Sequence, residues 1–374
     1  MIRIGPRLKA SAWGQPGAIS SVLGLPSVPG PIAEAWFGAH ESAPSGIADG
    51  SDLAAYIAAN PNPTVGGGSL PYLLKVLAIA SPLSLQVHPT AAQARVGFAS
   101  EDEAHVAVEA PDRTFRDNRH KPEMIVALTP MRLLVGIRGV RGLADDLRTL
   151  GADSLVPLVE GRESLLTYVM AVLGGEADAA LIERLADRPE GDSALALAGR
   201  AARAFPGDPG ALVALAMNPV LLQPGEACYV PPRVIHSYQS GIGVEIMANS
   251  DNVVRGGLTP KAIDVVLLEE ILDAVPSEPL RPTVTRHGAA TTYSVPVDEF
   301  ALLRVESGAA NTAAAPRIVL ALDETTVTTA HGSENLRAGE AIFVPVADGE
   351  ARVSTQGVAF VALPGGGKFG DSAR

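Results

Sequence analysis

The chain has 374 residues, of which 47% are hydrophobic and 19% are charged, and its formal net charge is −12. These values exclude an intrinsically disordered chain and argue against non-specific binding to nucleic acid, which needs a basic surface. The only cysteine, Cys228, excludes an intrachain disulfide and fits a reducing compartment. No signal core and no apolar run of about 18 residues is present, which predicts a cytoplasmic protein without a membrane partner.

Short strands separated by Gly- and Pro-rich turns are predicted from residue 1 to about 137, including a pair of strands at 70–77 and 83–87 and another strand at 124–128. From about 138 to 218, Leu and Val recur at helical spacing in Ala-, Glu- and Arg-rich sequence, which predicts helices. Strand patterns return from 220 to 247. A helix is expected at about 263–272, and the remainder to 363 is again typical of strands.

An internal repeat predicts two related β units. Leu222–Pro231 and Leu336–Pro345 share the pattern L-x-x-G-E-A-x-x-V-P. His236 follows the first copy at a spacing similar to the second metal motif of the cupin jelly roll, whereas Glu350 stands there in the second copy. We therefore predict a mainly β fold with two cupin-like jelly-roll units and a helical insertion in the first. The expected domains are a catalytic unit (1–137 and 219–270), a helical insertion (138–218) and a metal-free C-terminal unit (271–374).

Three segments contain side chains that suit a metal. Gln86 and His88 stand two residues apart in L-S-L-Q-V-H-P, so on a strand both leave the same face. Glu123 follows in H-K-P-E, and His236 lies in Y-V-P-P-R-V-I-H-S-Y. Two imidazoles, a carboxylate and an amide oxygen can surround a divalent metal and leave one position open, which is typical of a catalytic site. Either histidine alone would more often be an ordinary core residue, but the four together predict a metal centre.

Four segments resemble a known family: residues 33–45 (A-E-A-W-F-G-A-H-E-S-A-P-S), 70–89 (ending S-L-Q-V-H-P), 120–124 (H-K-P-E-M) and 250–261 (S-D-N-V-V-R-G-G-L-T-P-K). On these motifs the chain resembles the type I mannose-6-phosphate isomerases, which are zinc-dependent enzymes of the cupin superfamily. The resemblance implies reversible aldose–ketose isomerisation of mannose 6-phosphate and fructose 6-phosphate through an enediol. It also implies one Zn²⁺ per chain and a small-molecule sugar phosphate as the partner.

The resemblance further implies roles for particular residues. It places the zinc ligands on Gln86, His88, Glu123 and His236, the catalytic arginine on Arg255, proton transfer on Lys121 and Asp251, and the lining of the sugar-phosphate pocket on Trp13, Glu34, Ser84 and Tyr238. Arg233 replaces the glycine usual before the last ligand histidine, and Ser240 replaces the cupin asparagine. The predicted loop from Thr90 to Arg119 is long and acidic. These departures concern the rim of the pocket more than the metal centre.

Other interpretations remain open at this point. A metal-containing cupin could bind a sugar phosphate without turnover, although Lys121 and Arg255 would then be unnecessary. A cupin oxygenase is disfavoured because two His with Gln and Glu differ from the facial triad of non-haem iron. Lys121 and Arg255 could also be surface charges, and Asp251 could cap a turn or helix. Four other histidines are interpreted as structural or exposed: His40, His105, His287 and His331. His120 is interpreted as a loop residue or a neighbour of the ligands rather than a ligand, and a monomer is predicted.

Overall fold

The computed structural model describes residues 1–26, 28–176 and 178–366, so the predicted C-terminal unit is described only to residue 366. Within these residues, twenty strands form two antiparallel sheets of ten strands each, which confirms the predicted mainly β fold. None of the described helices is long and apolar enough to span a bilayer.

The strands are β1 (Ile2–Gly5), β2 (Arg7–Ala10), β3 (Ile32–Gly38), β4 (Gly46–Ile47), β5 (Tyr72–Ile79), β6 (Leu85–Val87), β7 (Glu123–Ala127), β8 (Met131–Ile137), β9 (Met217–Leu222), β10 (Ala227–Val230), β11 (His236–Ala248), β12 (Val254–Gly257), β13 (Thr283–His287), β14 (Ala290–Ser294), β15 (Ala301–Thr312), β16 (Arg317–Ala321), β17 (Thr325–Thr329), β18 (Gly332–Leu336), β19 (Ala341–Val344) and β20 (Ala351–Leu363). The α-helices are α1 (Ala18–Val22), α2 (Leu53–Ala59), α3 (Pro61–Val65), α4 (Ala91–Glu103), α5 (Val140–Thr149), α6 (Leu166–Ala171), α7 (Ala179–Ala186), α8 (Ala194–Ala204), α9 (Gly210–Leu215) and α10 (Val265–Ile271). Short 3₁₀ turns cover Asp153–Leu158 and Val346–Asp348, and a π turn covers Val172–Glu176.

The long strand β11 joins the two layers of the first β unit. Its residues 241–248 pair with β5, and the same half pairs with β7. Its residues 236–240 instead pair with β8, and His236 also pairs with Gln86 of β6. One layer therefore runs β10-β7-β11-β5-β3-β2 and the other β12-β6-β11-β8-β9. Side chains from both halves of β11 consequently face the space between the layers.

Two local predictions were wrong. Strands β5 and β6 were expected to pair with each other, but each pairs with a different half of β11 because the chain changes layers between them. The segment 90–119 was expected to be a loop, yet it begins with helix α4. A capping box starts this helix: the Thr90 hydroxyl accepts the N–H of Gln93 at 3.2 Å, and the Gln93 side chain accepts the N–H of Thr90 at 3.0 Å. Only Ala94 of α4 is buried, so no apolar stripe marked it.

The second sheet runs β13-β14-β15-β20-β16-β19-β1-β4, with β17 and β18 attached through β20. Both copies of the repeated segment form fully buried strands, β10 and β19, with Tyr229 and Phe343 at equivalent positions as predicted.

The division into domains stays a prediction. Helices α5–α9, between β8 and β9, support the proposed insertion, but Val172 and Leu197 lie in an apolar core that continues into the first β unit through Leu85 and Ile235. Strand β1, however, pairs with β19 and so belongs to the second sheet.

Candidate metal centre and substrate pocket

The carboxylate of Glu123 lies between two imidazoles. Glu123 begins β7 in one layer, while His236 begins β11 and His88 follows β6 in the other. The distance from His88 Nε2 to Glu123 Oε1 is 3.2 Å, and that from His236 Nε2 to Glu123 Oε2 is 3.3 Å. All three side chains are buried, and the three could hold a metal ion together. The structure thus brings three of the four predicted ligands together.

Hydrogen bonds to backbone carbonyls define the tautomer of each imidazole. His88 Nδ1 lies 2.7 Å from the carbonyl oxygen of Asn252, and His236 Nδ1 lies 3.1 Å from that of Val234. Carbonyl oxygens only accept, so both Nδ1 atoms carry the proton and both Nε2 atoms present a lone pair. These lone pairs point at a carboxylate, which is also only an acceptor. The buried Nε2 of His88 accordingly has no hydrogen-bond partner among the described residues.

Protonation states in the cluster match what a metal requires. Burial and the neighbouring Lys121 lower the pKa of His88 to about 4, so its ring is neutral at pH 7. Burial alone would raise the pKa of the Glu123 carboxyl, but Lys121 and the imidazoles outweigh it and hold this pKa well below its usual range. Imidazole nitrogens and a carboxylate oxygen are donors that zinc prefers. The residues present therefore fit a zinc ion.

Gln86 and Arg255 lie in the same cross-strand row as His236. In the antiparallel pairing Gln86 of β6 is opposite His236 on one side and opposite Arg255 of β12 on the other. Residues directly opposite in neighbouring strands point to the same face. The amide of Gln86 and the guanidinium of Arg255 therefore leave the sheet on the side of the imidazoles. Arg255 is half-buried and makes no ion pair within the described residues.

Lys121 contacts the centre directly. Its Nζ lies 2.9 Å from Glu123 Oε1, and both side chains are buried. Lys121 precedes β7 rather than lying within it, but its side chain reaches the same site as Glu123.

The fully buried Asn252 fixes the surroundings of His88. Its carbonyl accepts from the imidazole, while its side-chain amide donates to the carbonyls of Asp117 and Arg119 at 2.7 and 2.9 Å. Its Oδ1 accepts the N–H of Arg116 at 2.8 Å. One asparagine thus connects a candidate ligand to the loop that follows α4.

A buried lysine and glutamate, which the sequence analysis missed, face the same space. Lys75 of β5 and Glu245 of β11 are directly opposite each other, and Lys75 Nζ lies 3.2 Å from Glu245 Oε2. Burial alone would lower the pKa of Lys75, but Glu245 and Glu34 outweigh it and raise this pKa, so the lysine is charged. A single charge inside an apolar strand was the signal that could have identified each of them, because a buried charge needs a partner.

The four residues predicted to line the pocket differ in their surroundings. Glu34 accepts a hydrogen bond from the Trp36 indole at 2.8 Å and lies 3.8 Å from Lys75 Nζ. Tyr238 is buried two residues after His236, and its hydroxyl has no hydrogen-bond partner within the described chain. Trp13 is half-buried against the cluster that contains Tyr238, and Ser84 is half-buried just before β6.

Three cations lie close together beside the centre. Burial and the neighbouring Arg116 lower the pKa of Arg255, and Arg255 in turn lowers the pKa of Lys261. Lys261 is exposed and Arg116 is exposed at the end of the loop that Asn252 holds. Mutual repulsion of this kind would be relieved by an anionic ligand.

Comparisons with known proteins agree with this geometry. A family model of the phosphomannose isomerase type I catalytic domain matches residues 1–140. Mannose-6-phosphate isomerase of Escherichia coli (strain K12) is 32% identical over 312 residues, covering 78% of this chain and 80% of its own. The rat enzyme of the same name is 30% identical and covers 94% of this chain and 90% of its own.

Solved structures are similar over nearly the whole chain. The apo form of mannose 6-phosphate isomerase from Salmonella typhimurium superimposes with a TM-score of 0.89 at 28% identity, covering 98% of this chain and 99% of that one. A holo, zinc-bound mannose 6-phosphate isomerase also gives a TM-score of 0.89, covering 97% and 99%. The jelly-roll layers and their buried cluster of two His and one Glu define a metal-dependent cupin. The chain belongs to the type I phosphomannose isomerase family.

Proposed function

We propose that this protein is a zinc-dependent mannose-6-phosphate isomerase, which interconverts mannose 6-phosphate and fructose 6-phosphate with one zinc ion held by Gln86, His88, Glu123 and His236. The observation that carries the proposal is the convergence of acceptors on one point. Two imidazole lone pairs and a carboxylate face one another at 3.2 and 3.3 Å inside the protein. Such an arrangement is unfavourable unless a cation lies between them.

The reaction moves a proton between C1 and C2 of an open-chain sugar. A zinc ion bound here would supply Lewis-acid polarisation of the substrate's carbonyl and hydroxyl oxygens. Lys121, beside Glu123, is positioned to move a proton at these oxygens, and Asp251 is the proposed second proton carrier. Arg255, on the same face as His236, would stabilise negative charge as it develops on oxygen. Trp13, Glu34, Ser84 and Tyr238 are proposed to line the sugar site.

The phosphate group is proposed to bind at the three neighbouring cations. Arg116 and Lys261 extend the positive region outward from Arg255, and all three lie near the loop that Asn252 anchors. A phosphate dianion would relieve their repulsion and align the sugar with the metal centre. Binding energy from this remote group would then contribute to the reaction at C1 and C2.

A coupled isomerase assay on metal-analysed protein tests the proposal. One equivalent of zinc should copurify, and a chelator should abolish turnover reversibly. Arg255→Ala should lower kcat/KM by about 10²-fold or more without changing zinc content, because one preorganised charge is lost. Arg141→Ala, an exposed arginine in α5, is the matched control. An unchanged kcat/KM for Arg255→Ala would show that Arg255 is only a surface charge.

The same assay separates the proposal from a sugar-phosphate-binding cupin without turnover. Binding of mannose 6-phosphate without formation of fructose 6-phosphate by zinc-loaded protein would favour the binding module. Free mannose should react far more slowly than the phosphate ester, and comparable rates would argue against the phosphate site.

The proposal extends to a monomer that works in the cytoplasm. All proposed ligands and proton carriers come from a single chain, so the site needs no second subunit. The single Cys228 is buried, as expected of a protein that forms no disulfide. Light scattering on the zinc-loaded protein would test the monomer, and fractionation of the source cells would test the compartment.

A further inference from the structure

The segment that follows Arg255 carries a second cation of the proposed phosphate site. Strand β12 ends at Gly257, and residues 258–261 lead from it to Lys261, which lies near Arg255. Leu258 is buried with φ at +56°, a left-handed conformation that residues with a side chain rarely adopt. The position of Lys261 relative to Arg255 therefore depends on what holds this segment in an unfavourable conformation.

The carboxylate of Asp208, which precedes helix α9, anchors this segment. Its Oδ2 accepts the N–H of Thr259 at 3.0 Å, and its Oδ1 accepts the N–H of Gly210 at 2.8 Å. The Thr259 hydroxyl in turn accepts the N–H of Lys261 at 3.2 Å. Within the described chain, no other hydrogen bond from outside reaches residues 259–261, and Asp208 makes no ion pair. One side chain therefore connects the start of α9 to the residues before Lys261.

The main chains of α9 and β12 also contact each other directly. A Cβ atom on Gly210 would lie 2.7 Å from Gly257 Cα and 2.8 Å from the backbone nitrogen of Leu258, which is closer than such atoms can approach. All residues of α9 are buried, so the helix is a fixed support rather than a surface element. Glycine at positions 210 and 257 consequently allows Asp208 to hold the segment close against the helix.

Two effects of Asp208 on an anionic ligand would have opposite signs. As a negative charge close to this segment, it would weaken the binding of a phosphate dianion. As the anchor of the segment, it would strengthen binding by holding Lys261 beside Arg255. We infer, on the basis of the proposed function, that the second effect is larger and that Asp208 is a positioning residue of the phosphate site. Through this residue, the helices between β8 and β9 contribute to the recognition of a phosphorylated sugar.

Kinetics with and without the phosphate group test this role on the zinc-loaded protein. Asp208→Ala should lower kcat/KM for mannose 6-phosphate at least about tenfold but leave kcat/KM for free mannose within about twofold, because only the ester uses the phosphate site. Gly210→Ala keeps the carboxylate but displaces the segment, so it should show the same selective loss. Asp208→Asn keeps one acceptor oxygen and should lie between Asp208→Ala and the wild type.

Asp178→Ala is the matched control. The Asp178 carboxylate accepts the N–H of Ala180 at 3.0 Å at the start of α7, so its loss weakens another helix end of the same region without touching residues 257–261. It should not change the ratio of kcat/KM between the two substrates. An equal loss for both substrates in Asp208→Ala would indicate a general structural defect and would overturn the inference.

Binding of inorganic phosphate, followed by titration calorimetry, gives a readout that needs no turnover. The dissociation constant should rise at least about fivefold in Asp208→Ala with zinc content unchanged, because a charged contact to the anion is weakened. Lys261→Met combined with Asp208→Ala should bind phosphate no more weakly than Lys261→Met alone, because the anchor acts through Lys261.

Unchanged or tighter phosphate binding in Asp208→Ala, or multiplying effects in the double variant, would overturn the inference. If Asp208→Ala does not fold, Gly210→Ala replaces it in each comparison. A wild-type protein that binds phosphate but does not isomerise mannose 6-phosphate would refute the proposed function instead, and the calorimetry would still decide the role of Asp208.

Discussion

Replacing Asn252 by alanine tests whether the metal centre depends on the loop behind it. The substitution keeps the backbone carbonyl that receives His88 but removes the amide. Two donated bonds to carbonyls, at 2.7 and 2.9 Å, and two accepted bonds, at 2.8 and 3.3 Å, are lost, together with a longer contact from the amide to Asp117 Oδ1 at 3.2 Å. Each is worth about 0.5–1.5 kcal/mol, so the loss is roughly 2–6 kcal/mol, divided between loosening of the loop and global stability.

The loss of zinc affinity should correspond to a smaller free energy than the loss of stability, but it should be measurable. Removing a group that orients a metal-bound histidine typically lowers metal affinity about 10–100-fold. Asn252→Asp should lose more, because its new oxygen would face the carbonyls of Asp117 and Arg119 instead of donating to them. Competition with a chromogenic chelator measures the affinity, and urea unfolding of the zinc-free protein measures stability.

Asn249→Ala is the matched control. It removes a neighbouring amide whose Oδ1 has no hydrogen-bond partner within the described residues, so zinc affinity should stay as in the wild type. Wild-type zinc affinity in Asn252→Ala would refute the reasoning, since the orientation of His88 would then not depend on the amide.

Three further predictions concern charge, pH and the second β unit. Lys75→Met leaves Glu245 buried without its partner and should lower the free energy of unfolding in urea by about 3–5 kcal/mol. Adding Glu245→Gln should recover much of the lost stability. A loss below about 1 kcal/mol in Lys75→Met would contradict this prediction. Burial lowers the pKa of His88 to about 4, whereas the unfolded imidazole titrates near 6.5, so the unfolded chain takes up this proton first as pH falls. The zinc-free protein should therefore lose stability between pH 6.5 and 4, and unfolding midpoints that stay constant over this range would exclude a buried neutral His88. Deleting residues from about 275 onward removes β19, which pairs with β1. It also removes the carbonyls of Pro316 and Ala362, which accept from the buried Tyr72 hydroxyl, so the fragment should be insoluble. A soluble, active fragment would refute this packing role.

The sequence could predict the metal cluster because its signals are local. Gln86 and His88 have the two-residue period of a strand, and the positions of Glu123 and His236 fit a recognisable family pattern. The repeat likewise predicted that Tyr229 and Phe343 occupy equivalent buried strands.

The sequence could not predict partners that meet only through the tertiary fold. Lys75 and Glu245 each interrupt an apolar strand, and their pairing depends on the register between β5 and β11. The contact of His40 with Asp251 was not predicted for the same reason, since it joins segments far apart in the chain. The incorrect pairing of β5 with β6 shows that adjacency in sequence does not determine which layer a strand enters.

The pairing of β1 with β19 has a consequence for how the protein is made. These strands lie near opposite ends of the chain, and contacts between such distant segments slow folding because a large loop must close first. On the ribosome, Ile2 and Ile4 emerge long before their partners Phe343 and Ala341. β4 can pair with one edge of β1 early, but the edge that faces β19 stays unpaired during synthesis, where chaperones can bind or other nascent chains can aggregate. The edge of β1 that faces β19 is thus among the last in this sheet to be paired.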